Sequence, residues 1–328
     1  MRLRWLGLAV LVVAALAGCA GAADSASEGP LVVFNAGSLA RPLRAALDSF
    51  ARRESVRVEQ ESAGSLETAR KLTELGKIPD VIALADAEVF PGYLMPLHVN
   101  AYVEFARNRM VLAYTDRSRY ADEMATDSWW RVLLRDGVEV GRSDPHLDPN
   151  GYRTLLVWQL AERHYAEPGL AERLLAASPA RNMRPKEADL IGLLQVGEFD
   201  YIWSYESLAR AIGLRYVTLS DAIDLSSHAQ AAAYAVAAVN VRGVRPGETV
   251  TFRGTPIVYG VAVPMHAPHR ALAERFAAFL LSADGRAILR REGLDALDVA
   301  QVRGERAAWM PRAGSGSGAS PRPDAGSP

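Results

Sequence analysis

The chain has 328 residues, of which 49% are hydrophobic, enough to bury a sizeable apolar core. Its 37 Lys and Arg residues nearly balance its 38 Asp and Glu residues, so no strongly basic surface of the kind that binds nucleic acid is expected. A single cysteine excludes a disulfide framework and a thiolate cage for a metal within the chain.

The first residues are typical of a secretory signal. Two arginines precede an apolar run over residues 6–16, which is too short to span a bilayer as a mature helix. Small residues follow, and LAGC, ending at Cys19, resembles the lipobox of bacterial lipoproteins. We therefore predict a signal peptide over residues 1–18, lipid attachment at Cys19 and a tether over residues 19–29. The protein would be exported, and either anchored to the outer face of the cell membrane or in the periplasm. A soluble secreted protein with a chance cysteine is the alternative.

Short β-branched runs alternate with longer helical patterns after the tether. This alternation predicts a parallel, doubly wound sheet, in which ligands bind beyond the carboxyl ends of the strands. The predicted strands and helices follow one another over residues 31–36, 39–54, 56–62, 66–76 and 80–86.

Two later segments indicate that the chain forms two α/β lobes. The apolar segment 107–115 is long enough to leave one domain and enter another, and residues 255–264 would return. A helical pattern over 269–293 follows, and the Gly/Ser/Pro-rich tail 313–328 is expected to be disordered. We predict a first lobe from residues 30–108 and 258–312 and a second lobe from residues 109–257.

Two turns with the same sequence pattern are candidate anion sites. Ala36-Gly37-Ser38 and Ala63-Gly64-Ser65 each lead from a predicted strand into a predicted helix. A helix N-terminus presents unpaired N–H groups and a partial positive charge, to which each turn adds a hydroxyl. Serine is also among the commonest N-cap residues, so each serine could instead bind only its own helix.

Seven motifs in a fixed order carry a resemblance to a known family. The chain resembles the molybdate- and tungstate-binding proteins of ABC importers over residues 31–297, and is most like the tungstate-binding type. This resemblance implies a two-lobed periplasmic-binding-protein fold of type II, with a mostly parallel sheet in each lobe and two crossing hinge strands. It also implies a monomer without a cofactor that carries an oxyanion to a membrane permease. The motifs are FNAGSL, AGSLETARKL, PDVIALADAEVFPGYLMP, FARNRMVLAYT, SDPHLDPNGYRT, RPKEADLIGLLQVGEFDYIWSY and GTPIVYGVAVP.

The resemblance also implies the residues that hold the ligand. A carboxylate in one motif would enter an expanded coordination shell around the molybdenum or tungsten of the anion, and it corresponds to Asp148. Without the resemblance, Asp before Pro is an ordinary turn residue. The other implied ligand-binding residues are Ser38, Ser65, Asn150 with the backbone of Gly151, Met183 through its backbone, and the hydroxyl of Tyr205, with Gly37 and Gly64 as additional candidates.

One position departs from the tungstate-binding pattern. The family has a second ligand carboxylate immediately before the binding tyrosine, and this chain has Ser204 there. Glu206 lies two residues further on and either partly replaces the missing group, or is solvated or caps the following helix. The departure leaves a hydrogen-bonded tetrahedral anion as open a possibility as six-fold coordination.

The main alternatives are other small ligands and an enzyme. Sulfate, phosphate or ferric iron would suit the same kind of fold, and sequence does not reveal the pocket radius that discriminates among anions. A hydrolase needs a nucleophile with a base in reach, and neither a G-x-S-x-G elbow nor an H-E-x-x-H pair occurs. The two histidines of HAPH at 266–269 are expected on the surface. Trp129, Trp130 and Trp158 could stack on a sugar, but they fall within helical patterns and are expected to pack in the core or at a lobe surface. We therefore predict a binding protein and not an enzyme.

Overall fold

The computed structural model describes residues 29–243, 245 and 247–311. The predicted signal peptide, the lipid attachment at Cys19 and the tail from residue 313 lie outside the described residues. Across the part that is described, no helix is both long enough and apolar enough to cross a bilayer.

Thirteen strands and ten helices make up the described fold. The strands are β1 Leu31–Ala36, β2 Val58–Ala63, β3 Val81–Leu84, β4 Ala101–Arg107, β5 Met110–Tyr114, β6 Val140–Ser143, β7 Met183–Arg184, β8 Tyr201–Tyr205, β9 Arg215–Thr218, β10 Ala238–Arg242, β11 Thr249–Arg253, β12 Val258–Ala262 and β13 Asp295–Gly304. The helices are α1 Ala40–Glu54, α2 Ser65–Thr73, α3 Trp129–Leu133, α4 Pro149–His164, α5 Leu170–Ala177, α6 Ala188–Val196, α7 Glu206–Ala211, α8 Ala231–Tyr234, α9 Arg270–Leu281 and α10 Ala283–Arg291.

The strands form two large sheets and one hairpin. The first sheet has six strands in the order β13-β4-β12-β3-β1-β2, and the second has five in the order β7-β6-β8-β5-β9. Strands β10 and β11 pair with each other. The chain passes from the first sheet to the second between β4 and β5 and is back in the first sheet at β12, which agrees with the α/β, two-lobed fold class that the sequence predicts. The exact lobe bounds remain a prediction.

Both large sheets are mixed. In the first sheet β1 pairs parallel with β2 and β3, whereas β12 pairs antiparallel with β3 and β4. In the second sheet β6 pairs parallel with β7 and β8, whereas β5 pairs antiparallel with β8 and β9. The parallel pairs come from strand–helix–strand units, and antiparallel pairs arise where a strand enters or leaves a lobe.

Two predicted elements are interrupted, each for a local reason. The segment 107–115 breaks after Arg107, because Asn108 leaves the sheet and binds neighbouring residues through its side chain. The helical pattern 269–293 splits at Ser282, whose hydroxyl accepts a hydrogen bond from Gly285 N and so starts α10.

Aromatic side chains fill the core of the second lobe. Trp129 and Trp158 are buried and pack edge-on against Trp203, with ring centroids 5.4 and 6.1 Å apart. Trp130 is also buried, at 7% exposure. Of the two placements expected for these tryptophans, the core and a lobe surface, the structure shows the core.

Asn108 ties the crossing between the sheets to residues of both lobes. Its Nδ2 donates to Ser207 Oγ and to Tyr259 OH, each at 2.7 Å, and its Oδ1 accepts from Arg109 N at 3.0 Å. The side chain is largely buried. One amide group therefore holds this crossing, since its nitrogen donates two hydrogen bonds and its oxygen accepts one from Arg109 N.

We expect Asn108→Leu to lower the free energy of unfolding by about 2–4 kcal/mol, because buried partners lose their hydrogen bonds. Urea unfolding measures this change. Asn240→Leu, on the exposed face of β10, is the control and should change it by less than about 0.5 kcal/mol. Equal losses in the two variants would contradict the prediction.

Candidate functional site

Both predicted serine turns lie at the carboxyl end of the first sheet. Ser38 lies in a short 3-10 turn directly after β1, and Ser65 is the first residue of α2 directly after β2 and Gly64. The N-cap residue is Ala36 for the 3-10 turn, Leu39 for α1 and Gly64 for α2, so neither serine caps its own helix. Both serines are buried, at 6% and 0% exposure. The interpretation of these residues as ordinary N-caps is therefore wrong.

Each serine hydroxyl accepts a hydrogen bond from the protein. Ser38 Oγ accepts from Tyr259 OH at 3.3 Å, and Ser65 Oγ accepts from Ala85 N at 3.0 Å. A hydroxyl carries one proton in addition to its acceptor sites. Among the described residues neither hydroxyl has an acceptor for that proton, so both can donate to a ligand.

Tyr205 contributes a third hydroxyl of the same kind from the second lobe. It is the last residue of β8 and is fully buried. Its hydroxyl accepts a hydrogen bond from Arg153 Nη1 at 2.8 Å. Within the described part of the chain its proton has no acceptor, and burial raises the pKa of the phenol well above its usual range, so the proton stays bound.

Arg153 connects this tyrosine to the first lobe. Its Nη1 also donates to Ala85 O at 2.8 Å, and its Nη2 lies 3.0 Å from Asp86 Oδ2. Ala85 is the residue whose N–H binds Ser65. One guanidinium on α4 therefore lies between the Tyr205 hydroxyl and the loop after β3.

Asp148 caps α4 and has both oxygens occupied. Oδ1 accepts from Asn150 N at 3.1 Å, and Oδ2 accepts from Glu187 N at 2.7 Å. Its own carbonyl accepts from Gly151 N at 3.0 Å. The backbone donors predicted at Asn150 and Gly151 are thus bound by Asp148. The buried Nδ2 of Asn150 is left without a protein partner.

Met183 lies beside these residues and not among them. Its N–H donates to Ala180 O, and its sulfur lies 3.1 Å from Arg142 Nη1. It pairs with Arg142 in the register of β7 and β6. The structure therefore uses its backbone N–H in a local turn, where it is already hydrogen-bonded to Ala180 O.

A different glutamate stands next to Ser204. Ser204 Oγ donates to Glu187 Oε1 at 2.6 Å, and Tyr205 N donates to the same oxygen at 2.6 Å. Glu206 instead binds Arg109 at 3.2 Å and accepts from Tyr216 OH at 3.2 Å. The acidic group beside Tyr205 therefore comes from Glu187, in the motif RPKE.

Burial changes the charge of these carboxyl groups. Burial, followed by the nearby Asp148 charge, raises the pKa of Glu187 to about 8, and burial raises the pKa of Asp148 to about 6. Glu187 Oε1 lies within hydrogen-bond distance of Ser204 Oγ and Tyr205 N, and Oε2 has no partner among the described residues, so the raised pKa favours a proton on Oε2.

These contacts form one continuous network that spans both lobes, which we call the pocket network. It unites five of the six predicted ligand residues and leaves Met183 outside. Its members are Ser38, Ser65, Ala85, Asp86, Asp148, Asn150, Arg153, Glu187, Ser204, Tyr205 and Tyr259.

The lobes also touch directly at the second serine turn. Leu147 O accepts hydrogen bonds from Leu66 N and Glu67 N, both at 3.1 Å, so it satisfies two N-terminal donors of α2. A Cβ on Gly64 would lie 2.2 Å from Leu147 O. On Gly37 the nearest atom would be 3.9 Å away. Only the second turn therefore requires glycine for space.

Five members of the pocket network were not found by sequence reasoning: Ala85, Asp86, Arg153, Glu187 and Tyr259. Glu187 and Arg153 lie in motifs that were recognised, RPKE and NGYR, but no spacing rule relates either residue to Tyr205. Tyr259 follows an apolar run and reads as a core residue. The sequence signal that could have found Arg153, Glu187 and Tyr259 is a charged or hydroxyl side chain inside an otherwise apolar or turn-rich motif.

The raised pKa of Glu187 predicts a pH dependence of stability. The folded protein holds a proton on Glu187 up to about pH 8, whereas the unfolded chain releases it near the ordinary pKa of 4.5. Stability contributed by this proton is complete below pH 4.5 and is lost as the pH rises to about 8, by at most about 1.4 kcal/mol per pH unit. Glu187→Gln should remove this loss between pH 6 and 8, measured by urea unfolding.

The histidines titrate in the same pH range. The contribution of Glu187 is therefore the difference between the free energies of unfolding of the wild type and of Glu187→Gln at each pH. Glu198→Gln, at an exposed position after α6, should follow the wild type at every pH. A Glu187→Gln protein with the wild-type slope would show that Glu187 is ionised in the folded state.

The family described as bacterial extracellular solute-binding protein matches residues 31–295. An uncharacterized solute-binding protein of Petrotoga mobilis is 43% identical over 81% of this chain and 83% of its own length. The molybdate/tungstate-binding protein WtpA of Pyrococcus abyssi is 35% identical over 90% of this chain and 94% of its own.

A solved structure supports the fold. The sulfate-binding protein SubI of Mycobacterium tuberculosis covers 83% of this chain and 88% of its own, with a TM-score of 0.58 at 15% identity. The family and these relatives are solute-binding proteins, which confirms the prediction that the chain is not an enzyme. As the resemblance to molybdate- and tungstate-binding proteins predicts, the chain belongs to the bacterial extracellular solute-binding proteins.

Proposed function

We propose that the protein captures molybdate or tungstate between its two lobes and delivers it to the permease of an ABC importer. The observation that carries this proposal is the set of three buried hydroxyls, Ser38, Ser65 and Tyr205. Each accepts one hydrogen bond from the protein and has no described acceptor for its own proton. Two come from the first lobe and one from the second, so one ligand would bind both lobes.

An oxyanion suits these donors because it only accepts hydrogen bonds. A buried donor without a partner costs about 1–3 kcal/mol, which a bound anion would recover. Asn150 Nδ2 is a fourth buried donor without a protein partner, and protonated Glu187 Oε2 would be a fifth. A neutral Glu187 also removes a charge that would repel a dianion.

The contacts of Asp148 favour a tetrahedral anion held by hydrogen bonds. Both of its oxygens already accept backbone N–H groups at 3.1 and 2.7 Å. Coordination of molybdenum or tungsten by Asp148 would have to compete with these bonds. We therefore assign Asp148 the task of positioning Asn150 and Glu187 around the ligand, without a bond to the metal atom.

Two considerations favour molybdate and tungstate over the alternatives. A relative 35% identical over 90% of this chain is a molybdate/tungstate-binding protein. Ferric iron needs a cluster of anionic ligands, and the described residues contain no group of three or more His, Cys, Asp or Glu side chains suited to a metal ion. Sulfate remains the second candidate, because the fold is shared with a sulfate-binding protein and sulfate presents the same charge.

Delivery would depend on opening and closing of the lobes. A ligand that contacts both lobes shifts the protein toward the closed form, which the permease recognises. Acylation at Cys19 after export would keep a monomeric carrier near that permease, and no cofactor takes part. Lipid attachment and the permease interaction are both parts of this proposal.

Isothermal titration with tungstate, molybdate, sulfate and phosphate tests the proposed function. We expect tungstate and molybdate to bind tightly and sulfate and phosphate weakly. Ser38→Ala and Ser65→Ala should each weaken the binding of tungstate about tenfold to hundredfold, because each removes one donor to an anion. No binding of either tungstate or molybdate would refute the proposal.

Ser118→Ala is the matched control for these variants. Ser118 is buried at 7% exposure, and its hydroxyl accepts from Thr115 N at 2.9 Å, as Ser65 does from Ala85. It lies in the loop after β5 and contacts no member of the pocket network. A loss of affinity in Ser118→Ala equal to that in Ser65→Ala would show that the serine effects are not specific.

Gly64→Ala tests closure of the lobes. The new Cβ would overlap Leu147 O at 2.2 Å in the closed form, while the backbone angles of Gly64, φ −63° and ψ 148°, suit alanine. We expect the affinity for tungstate to fall at least about tenfold with unchanged thermal stability. Gly192→Ala, where a Cβ meets no atom within 4 Å, should bind as the wild type does. Wild-type affinity in Gly64→Ala would mean that the lobes close differently.

A further inference from the structure

Arg153 is the only cationic member of the pocket network. Its side chain is only 2% exposed, and arginine is seldom buried without a partner. Its side chain lies between Asp86 and Ala85 of the first lobe and Tyr205 of the second. A buried cation that contacts both lobes next to three hydroxyl donors has a position suited to sensing the charge of a ligand.

The charge of Asp86 is already shared among several donors. Glu88 N donates to Oδ1 at 2.9 Å, and the Tyr152 hydroxyl donates to Oδ2. Arg153 Nη2 lies 3.0 Å from the same Oδ2, yet it forms no aligned hydrogen bond with any described residue. The guanidinium therefore retains an N–H without an aligned acceptor among the described residues, while Asp86 stays within ion-pair distance.

Arg153 also determines the direction of the Tyr205 proton. Because Nη1 donates to the phenol oxygen at 2.8 Å, the Tyr205 proton cannot point back along that bond. The guanidinium lies 5.7 Å from the Tyr205 ring centroid, which further restrains the ring. A lysine could not bond Ala85 O and Tyr205 OH from one planar group while also facing Asp86.

We propose that Arg153 makes the pocket selective for doubly charged over singly charged tetrahedral anions, acting on the ligand through the Tyr205 hydroxyl. This inference rests on the proposed function. Polarised by the guanidinium, the Tyr205 hydroxyl is a stronger donor to a dianion than to a monoanion. The contacts to Ala85 and Asp86 exist only when the lobes meet. Arg153 therefore also couples the charge of the ligand to closure of the lobes.

Tungstate and perrhenate test this inference, because both are tetrahedral and similar in size. Tungstate carries two negative charges and perrhenate carries one. We would titrate both anions into the full-length protein and compare their affinity ratio. Arg153→Met alone leaves Asp86 buried without its partner and endangers folding. The Asp86→Asn/Arg153→Met double variant removes both charges together and avoids that danger.

We expect the double variant to lose at least about tenfold of the wild-type preference for tungstate over perrhenate. Arg153→Lys keeps the charge without the planar fork and should retain most of the preference while binding both anions more weakly. Tyr205→Phe should weaken the binding of tungstate in the wild type but much less in the double variant, because Arg153 acts through this hydroxyl.

Arg119→Met is the matched control, since Arg119 pairs with the largely buried Asp200 at 2.7 Å and touches no member of the pocket network. Its affinity ratio should equal that of the wild type. A wild-type ratio in the double variant, or an undiminished effect of Tyr205→Phe there, would overturn the inference while leaving the proposed function intact. Failure of the wild type to bind tungstate or molybdate would instead refute the proposed function.

Discussion

Removal of polar groups from water at the junction of the two lobes is the constraint on which the rest of the site depends. Leu147 O accepts hydrogen bonds from the N-terminus of α2, and Arg153 donates a hydrogen bond to Ala85 O. Each lobe therefore supplies both donors and acceptors to the other. Such groups are costly when buried without partners. The protons of Ser38, Ser65 and Tyr205 are left over, and only an acceptor between the lobes could satisfy them.

The same constraint explains why the two serine turns differ in spite of their matching sequences. The turn at Gly64 meets the opposite lobe at contact distance, whereas the turn at Gly37 has room for a methyl group. Sequence spacing places both serines at the carboxyl end of a parallel pair of strands. It carries no information about which turn the other lobe approaches, because that contact joins residues some 80 positions apart, such as Gly64 and Leu147.

Much of the fold could be predicted from local patterns, and much of the site could not. Strand β1, helix α1 and strand β2 follow directly from apolar periodicity, and Gly37 marks the turn between β1 and α1. The break at Ser282 is also local, since a serine hydroxyl can start a helix, but a continuous apolar pattern hides it. The roles of Glu187 and Arg153 could not be predicted from local patterns, because their hydrogen-bond partners lie far away in sequence.

Glu187 lies against Ser204 and supplies the acidic group beside Tyr205. A second ionised carboxylate there would face both Asp148 and a dianion, and it would be opposed by Arg153 alone within the pocket network. Serine avoids that repulsion and lies 2.6 Å from Glu187 Oε1, while Oε2 has no partner among the described residues. With its pKa raised to about 8, a protonated Glu187 would act as a donor and not as a repelling charge. A pocket built in this way would hold its anion by donated hydrogen bonds and would need no change of coordination at the metal atom.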